Sequence, residues 1–391
     1  MKRFSIILVS ALVVFAAGCS KNIEPSSSNP DAWKTDVTLP VPIEFGSPAV
    51  STRATRIESM NDATNLFGVF GVSKTCQDVS KNDSTRLLYN AKAKYNATDG
   101  FYLYEKAFYP MNSDLDFNFY AYYTRKNEST DELPGVHIAN NRIYVTTPVG
   151  AFDILYGSTK VTPAMEETVT YGYNARYIRQ LRNLFGESEE QIQAYSPHIN
   201  FRHVTSSLQF YVKTDNPQTF RDENIWVSTI TLNNVPVSAN LCIVDLASDV
   251  YTEDEVMNEK EGTFEPVILG NLTTSPSATI FPTTTATKLG TEMFIVPQET
   301  PISGVVSLKN NSGKFSEVKF TLDPKKMKDS AGKVLGSFKP GHYYNMTLLV
   351  HSPEKITITV SIEDWKNGFN PDAEGSADDY VQDLDPLESE E

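Results

Sequence analysis

The chain has 391 residues, with 34 Lys or Arg against 49 Asp or Glu, which gives a formal net charge of −15. This charge argues against nucleic acid as a partner, because phosphate binding depends on basic residues, and against electrostatic attachment to anionic lipid. The length predicts two domains, and three cysteines are too few for a disulfide scaffold.

The N-terminus has the pattern of an export signal. Lys2 and Arg3 precede an uncharged run over residues 6–18, which is shorter than the roughly 20 apolar residues that a membrane-spanning helix needs. Small residues lie directly before Cys19, and this ending resembles the lipobox of bacterial lipoproteins, whose cysteine carries a diacylglycerol. The resemblance implies a signal peptide over residues 1–18 and an outer-membrane lipid anchor on Cys19.

Residues 19–36 are polar and predict a flexible tether. The next stretch alternates strictly, which is typical of a half-buried strand. Its Pro40 and Pro42 lack N–H groups on one lateral edge, so we expect an edge strand with a single neighbour. Such a strand is exchangeable, because it can leave without opening the middle of a sheet. Its apolar residues are Val37, Leu39, Val41, Ile43 and Phe45.

A polar stretch over residues 51–56 follows and predicts an exposed connector. Its Arg53 and Arg56 are either solvated loop residues or a proteolytic processing site. Beyond it, short runs rich in aromatic and β-branched residues predict the strands of a first β-sandwich domain, residues 37–195. These runs are Phe67 to Val72, Phe101 to Tyr104, Leu115 to Tyr123, Ile143 to Thr147 and Asp153 to Tyr156.

The first domain also contains a helical pattern from Asn174 to Phe185, with Tyr177, Leu181 and Leu184 on one face. A capping-box pattern from Ser188 to Gln191 predicts a second short helix. Three arginines repeat every third residue on the first helix. They could hold an acidic ligand, but the sequence favours a solvated helix face. These residues are Arg176, Arg179 and Arg182.

A second series of strands predicts another β-sandwich domain over residues 196–370, and residues 371–391 are an acidic tail that we expect to be largely disordered. The run from Phe117 to Tyr123 places aromatic side chains on both faces of a predicted strand. Rows of this kind can stack on sugars, but the sequence favours packing in the core. The predicted strands of the second domain start near Ile199 and continue through 207–212, 226–232, 241–246, 292–296, 304–309, 318–322, 343–350 and 356–362.

Several of these runs together resemble the fimbrillin family of Bacteroidales, whose members are lipoprotein precursors of surface pili and adhesins. The resemblance implies two tandem transthyretin-like β-sandwich domains in an all-β fold with one or two short helices. It also implies assembly by strand exchange after proteolysis at an arginine. The matching pieces are the lipobox, Ser51–Ala54, Phe67–Phe70, Asp153–Tyr156, Phe201–His203, Phe294–Gln298, Pro340–Tyr344 and Ile358–Gly368.

Two functions follow as hypotheses. The first is a pilus or adhesin subunit at the cell surface that binds other subunits by β-strand addition; its donor is either Ile356 to Ile362 or absent, as in a tip or accessory subunit. The second is a monomeric surface lipoprotein that binds a glycan or host ligand. No catalytic, metal-binding or cofactor motif is evident, so we expect no enzyme. Asp83–Thr85 and Asp329–Ala331 resemble O-glycosylation sites of Bacteroidetes envelope proteins.

Overall fold

The fold described here is that of a computed structural model. It describes residues 32–34, 36, 38–46, 66–73, 75–96, 100–111, 115–124, 132–159, 172–186, 188, 191–192, 195–247, 260–328, 333–352, 355–364 and 378–382.

Strands dominate these residues, and the named helices are few and short, which confirms the predicted all-β fold. A 3₁₀ turn, Ala32–Lys34, precedes the first strand. The helices are α1, Ala175–Phe185, and α2, Pro217–Asp222. The strands are β1 Phe67–Ser73, β2 Arg86–Asn96, β3 Gly100–Leu103, β4 Phe117–Tyr123, β5 Val136–Ala139, β6 Arg142–Pro148, β7 Leu155–Thr159, β8 Ile199–His203, β9 Ser206–Lys213, β10 Trp226–Asp245, β11 Phe264–Thr274, β12 Thr287–Ile295, β13 Ile302–Asn310, β14 Gly313–Leu322, β15 His342–Ser352, β16 Lys355–Asp364 and β17 Asp378–Gln382.

The strands form three sheets. Sheet I has the order β3-β2-β1-β4-β7-β8 and is antiparallel throughout. Sheet II has the order β14-β13-β10-β6-β5, with β11 also paired to β10. Sheet III has the order β12-β9-β15-β16-β17, in which β9 and β15 are parallel neighbours. Sheet II therefore contains strands from both halves of the sequence.

Strand β10 joins the two halves. Its residues Trp226–Asn233 pair with β13, and Ser238–Asp245 pair with β6. Between them the register shifts, and Asn234 has a φ of 54°, which is the geometry of a β-bulge. The sequence predicted two strands here, because the bulge interrupts the alternation. The division into domains near residue 196 stays a prediction.

Sheet I is buried on both faces. One face packs against an outer core that contains Val69, Phe117 and Phe119, and the other against a middle core shared with sheet II that contains Tyr120 and Tyr122. The aromatic run of β4 is therefore core on both faces, as the sequence favoured. A third core, which includes Phe210, Ile230, Val306 and Met346, lies between sheets II and III.

Three strands before the acidic tail were not predicted. β2 carries Lys and Asn between its apolar residues, β5 is only four residues long, and β11 is largely exposed. The expectation of a disordered tail is wrong for β17, because its five residues pair with Ile358–Ile362 of β16.

Candidate functional site at the N-terminal segment

Residues 32–46 are here called the N-terminal segment, and their described part lies against the outer core of sheet I. Val41 is 0% and Ile43 6% exposed, and Leu39 and Phe45 pack against the same core. Thr38 and Glu44, by contrast, are exposed. The predicted inward face is thus the face that this core buries. Val37 lies outside the described residues.

Backbone hydrogen bonds join the segment to residues after β3 and to residues just before β8. The Ile43 N–H donates to the Ala107 carbonyl at 2.8 Å, and the Tyr109 N–H donates to the Val41 carbonyl at 2.9 Å. Further along, the Gly46 N–H donates to the Pro197 carbonyl at 3.0 Å. Within the described residues 38–46, the predicted strand is not a regular ladder: these residues form an isolated bridge between Pro42 and Phe108. Proline has no N–H to extend a ladder on the opposite edge.

Aromatic packing holds the end of the segment. The Phe45 ring makes edge contacts with Phe101 of β3 and with Phe119 of β4, each at a centroid distance of 5.3 Å. Edge-to-face pairs of this kind are stabilising beyond the area that they bury. Phe45 therefore bridges two strands of sheet I that are not neighbours.

The other end of the segment is held by Trp33, which is 3% exposed and belongs to the outer core. The guanidinium carbon of Arg182 lies 4.8 Å from the centroid of its indole ring, within the range of a cation–π interaction. The sequence placed Trp33 in the flexible tether, because a single aromatic residue among polar ones shows no periodicity.

Arg179 of α1 binds the backbone of the same segment. Its guanidinium donates to the carbonyls of Trp33 and Asp36, each at 3.3 Å, and to the carbonyl of Leu39. The interpretation of a solvated helix face is therefore wrong for Arg179 and Arg182. Together we call these two side chains the arginine clasp.

Asp36 shapes the bend between the two ends. Its carboxylate accepts hydrogen bonds from the N–H of Thr38 at 2.9 Å and from the Thr38 hydroxyl at 2.6 Å. These bonds, with a smaller contribution from the charge of Arg179, lower the pKa of the exposed Asp36 carboxyl. Asp36 is therefore charged at neutral pH, and its side chain fixes the turn through which Arg179 reaches three carbonyls.

Helix α1 is positioned by its own cap and apolar face. The Asn174 side chain accepts from the Tyr177 N–H at 2.8 Å, which satisfies one of the unpaired N–H groups of the first turn. Tyr177, Ile178 and Leu181 are buried. Leu184, predicted on this face, is 72% exposed, whereas its neighbour Phe185 packs against the outer core.

The structure does not locate the predicted lipidation and processing residues. Cys19, Arg53 and Arg56 lie outside the described residues. None of the helices in the described part of the chain is long and apolar enough to cross a membrane. Within the same part, no three His, Cys, Asp or Glu side chains group as metal ligands would.

Residues 52–365 match the model of a protein family described as fimbrillin-like. The chain belongs to the fimbrillin-like family. Membership of this family supports a pilus or adhesin subunit, implies a cell-surface location and suggests association with other fimbrial subunits. The family is one of structural fimbrial and adhesin proteins.

Solved structures similar to this fimbrillin-like chain include two cell adhesion proteins titled as putative. The one from Bacteroides uniformis is 14% identical with a TM-score of 0.46, covering 84% of this chain and 99% of its own. The one from Bacteroides ovatus is 12% identical with a TM-score of 0.45, covering 85% and 99%. The tip fimbrial protein Mfa3 from Porphyromonas gingivalis is 11% identical with a TM-score of 0.39, covering 84% and 100%. No curated protein matches the chain.

Proposed function

We propose that this protein is a subunit of a surface pilus or adhesin, exported as a lipoprotein on Cys19, whose N-terminal segment is exchanged for a strand of another subunit. In this proposal a cut at Arg53 or Arg56 separates the segment and its lipid from the rest of the chain. The observation that carries the proposal is the contrast, in the described residues 38–46, between the deep burial of Val41 and Ile43 and a backbone that forms an isolated bridge and no ladder.

This contrast suits exchange for a physical reason. Removing the segment would expose the outer core where Val41 and Ile43 lie, so an empty groove is unfavourable. The Ala107 carbonyl and the Tyr109 N–H would then be free to bind the main chain of an incoming strand, as in β-augmentation. Any extended segment with alternating apolar residues can satisfy both requirements.

The donor strand is constrained by sheet III. β16 pairs with β15 on one side and with β17 on the other, so its departure would break two ladders. β17 follows it at the end of the described strand order and has one neighbour there. We infer that β16 stays in its sheet, and that this protein either donates the segment containing β17 or accepts a strand without giving one.

The test is the N-terminus and mass of the protein recovered from cell-surface fractions. Wild type is compared with an Arg53→Ala/Arg56→Ala double variant, and Arg221→Ala on α2, where Arg221 is exposed, is the matched control. The expected result is a terminus at Ala54 or Ile57 without lipid, lost in the double variant together with high-mass assemblies. A diacylated Cys19 on every recovered molecule, with no assemblies, would instead support a monomeric ligand-binding lipoprotein and overturn the proposal.

A further inference from the structure

The arginine clasp holds the N-terminal segment from a helix to which the segment is not joined in sequence. We propose that the arginine clasp retains residues 32–46 as a non-covalent peptide ligand after the connector is cut, until a competing segment displaces them. In the cell, this proposal rests on the proposed function, which supplies the cut in the connector. An engineered cut tests the retention of the segment independently of that function.

A cut in the connector leaves the described contacts of the segment in place. The contacts run from Trp33, beside Arg182, to Gly46, which is bonded to the Pro197 carbonyl. All of them precede Arg53 in the chain. The cut therefore removes only the covalent connection, which acts by raising the effective concentration of the segment, and it leaves the apolar and polar contacts to determine how fast the segment leaves.

Arg179 supplies the part of the binding that does not depend on the ligand's side chains. A guanidinium presents several N–H donors in one plane and has no acceptor, and here it reaches the carbonyls of Trp33, Asp36 and Leu39. Carbonyls are common to every peptide, so Arg179 would hold any chain that follows this bend.

Arg182 supplies selectivity. It lies over the indole of Trp33, and the ring is buried in the same core as Val41 and Ile43. Trp33 precedes Val41 by eight residues. The ligand class is therefore a peptide that follows this bend and carries an aromatic residue at this distance before two alternating apolar residues.

The experiment uses the chain from residue 19 with Cys19→Ser, which removes the acylation site, and a specific protease sequence in place of residues 51–56. After cleavage, size-exclusion chromatography and intact mass measure how much of the segment stays bound and how fast it leaves. We expect the cut segment to co-elute with the remainder of the chain. Arg179→Gln should release it at least tenfold faster, whereas Arg221→Gln on α2, where Arg221 is exposed, is the matched control and should not.

A second measurement tests the aromatic requirement. A labelled peptide of residues 32–46 in excess should replace the cut segment, and its Trp33→Phe form should do so more effectively than its Trp33→Ala form. Melting of the uncut variants separates weaker binding from misfolding. Immediate release of the segment from the unmodified protein, or equal release from Arg179→Gln and Arg221→Gln, overturns the proposal. Either result leaves the surface-processing test of the proposed function unaffected.

Discussion

Replacing Ile43 by Ala tests whether the N-terminal segment is part of the folded core. Ile43 is 6% exposed and lies in the core with Val41, Trp33 and Phe119. Truncation of a buried isoleucine to alanine costs about 2–5 kcal/mol, from lost burial and from the cavity that remains. For a domain of this size each kcal/mol lowers Tm by roughly 2–4 °C, so a loss of about 3 kcal/mol predicts a decrease of about 6–12 °C.

The structure also sets a ceiling on this loss. The described residues 38–46 of the segment belong to no strand of sheet I and form an isolated bridge only, so the segment can detach as a unit before sheet I unfolds. The destabilisation cannot exceed the free energy that docks the segment. A Val41→Ala/Ile43→Ala double variant is therefore expected to lose less than the sum of the two single variants, since both residues share one core and one detachment step.

The assay is thermal and urea unfolding followed by circular dichroism on the chain with Cys19→Ser. Glu44→Ala is the matched control, because Glu44 is the exposed neighbour on the opposite face of the segment, and exposed substitutions usually stay within about 0.5 kcal/mol. A Tm for Ile43→Ala equal to that of Glu44→Ala would refute the reasoning, since it would mean that the segment contributes nothing to the stability of sheet I.

Three further outcomes are expected. Gly68→Ala in β1 should destabilise by about 1–3 kcal/mol, because an added Cβ would overlap the buried Tyr122 ring, whereas Gly135→Ala, with open space around it, should be neutral in the same unfolding assay. Burial and the nearby Asp245 raise the pKa of the Cys242 thiol, so a thiol reagent at pH 8 should modify it only after unfolding; rapid native labelling by mass spectrometry would contradict this. Burial, with the Glu265 contact, raises the pKa of Tyr144 to about 12. Its proton is held more tightly in the folded state, so its contribution to stability is complete below the unfolded pKa of about 10 and is lost as the pH rises towards 12. Tyr144→Phe should reduce that loss of stability at alkaline pH. An unchanged dependence of stability on pH in this variant would contradict the prediction.

Local sequence patterns predicted much of the fold, in the places where a single rule of periodicity or capping was enough to identify an element. The alternation from Leu39 to Phe45 fixed which side chains face the core, because successive side chains of an extended segment point to opposite sides. The Asn174 cap and the helical spacing after it predicted α1. The same rules missed β11, which is largely exposed, and β2, in which a register shift at Asn90, with a φ of 50°, interrupts the alternation of the residues that pack against the outer core.

The arginine clasp is a feature that local sequence patterns do not predict. Arg179 and Arg182 look like solvated residues in the sequence, because nothing within α1 specifies what lies beside them. Their partners are about 140 residues away, as in the bond from Arg179 to Leu39 with a separation of 140. A carbonyl group is present in every residue, so no residue type marks the atoms that Arg179 binds.

The sequence by itself determined the charge, the inward face of the N-terminal segment and most strand positions, because composition and periodicity are local properties. Only the tertiary structure decided that Trp33 is buried, that β10 belongs to both halves of the molecule and that α1 holds the N-terminal segment. Each of these depends on segments far apart in the chain that pack together, and the contacts are set by the shape of the whole fold.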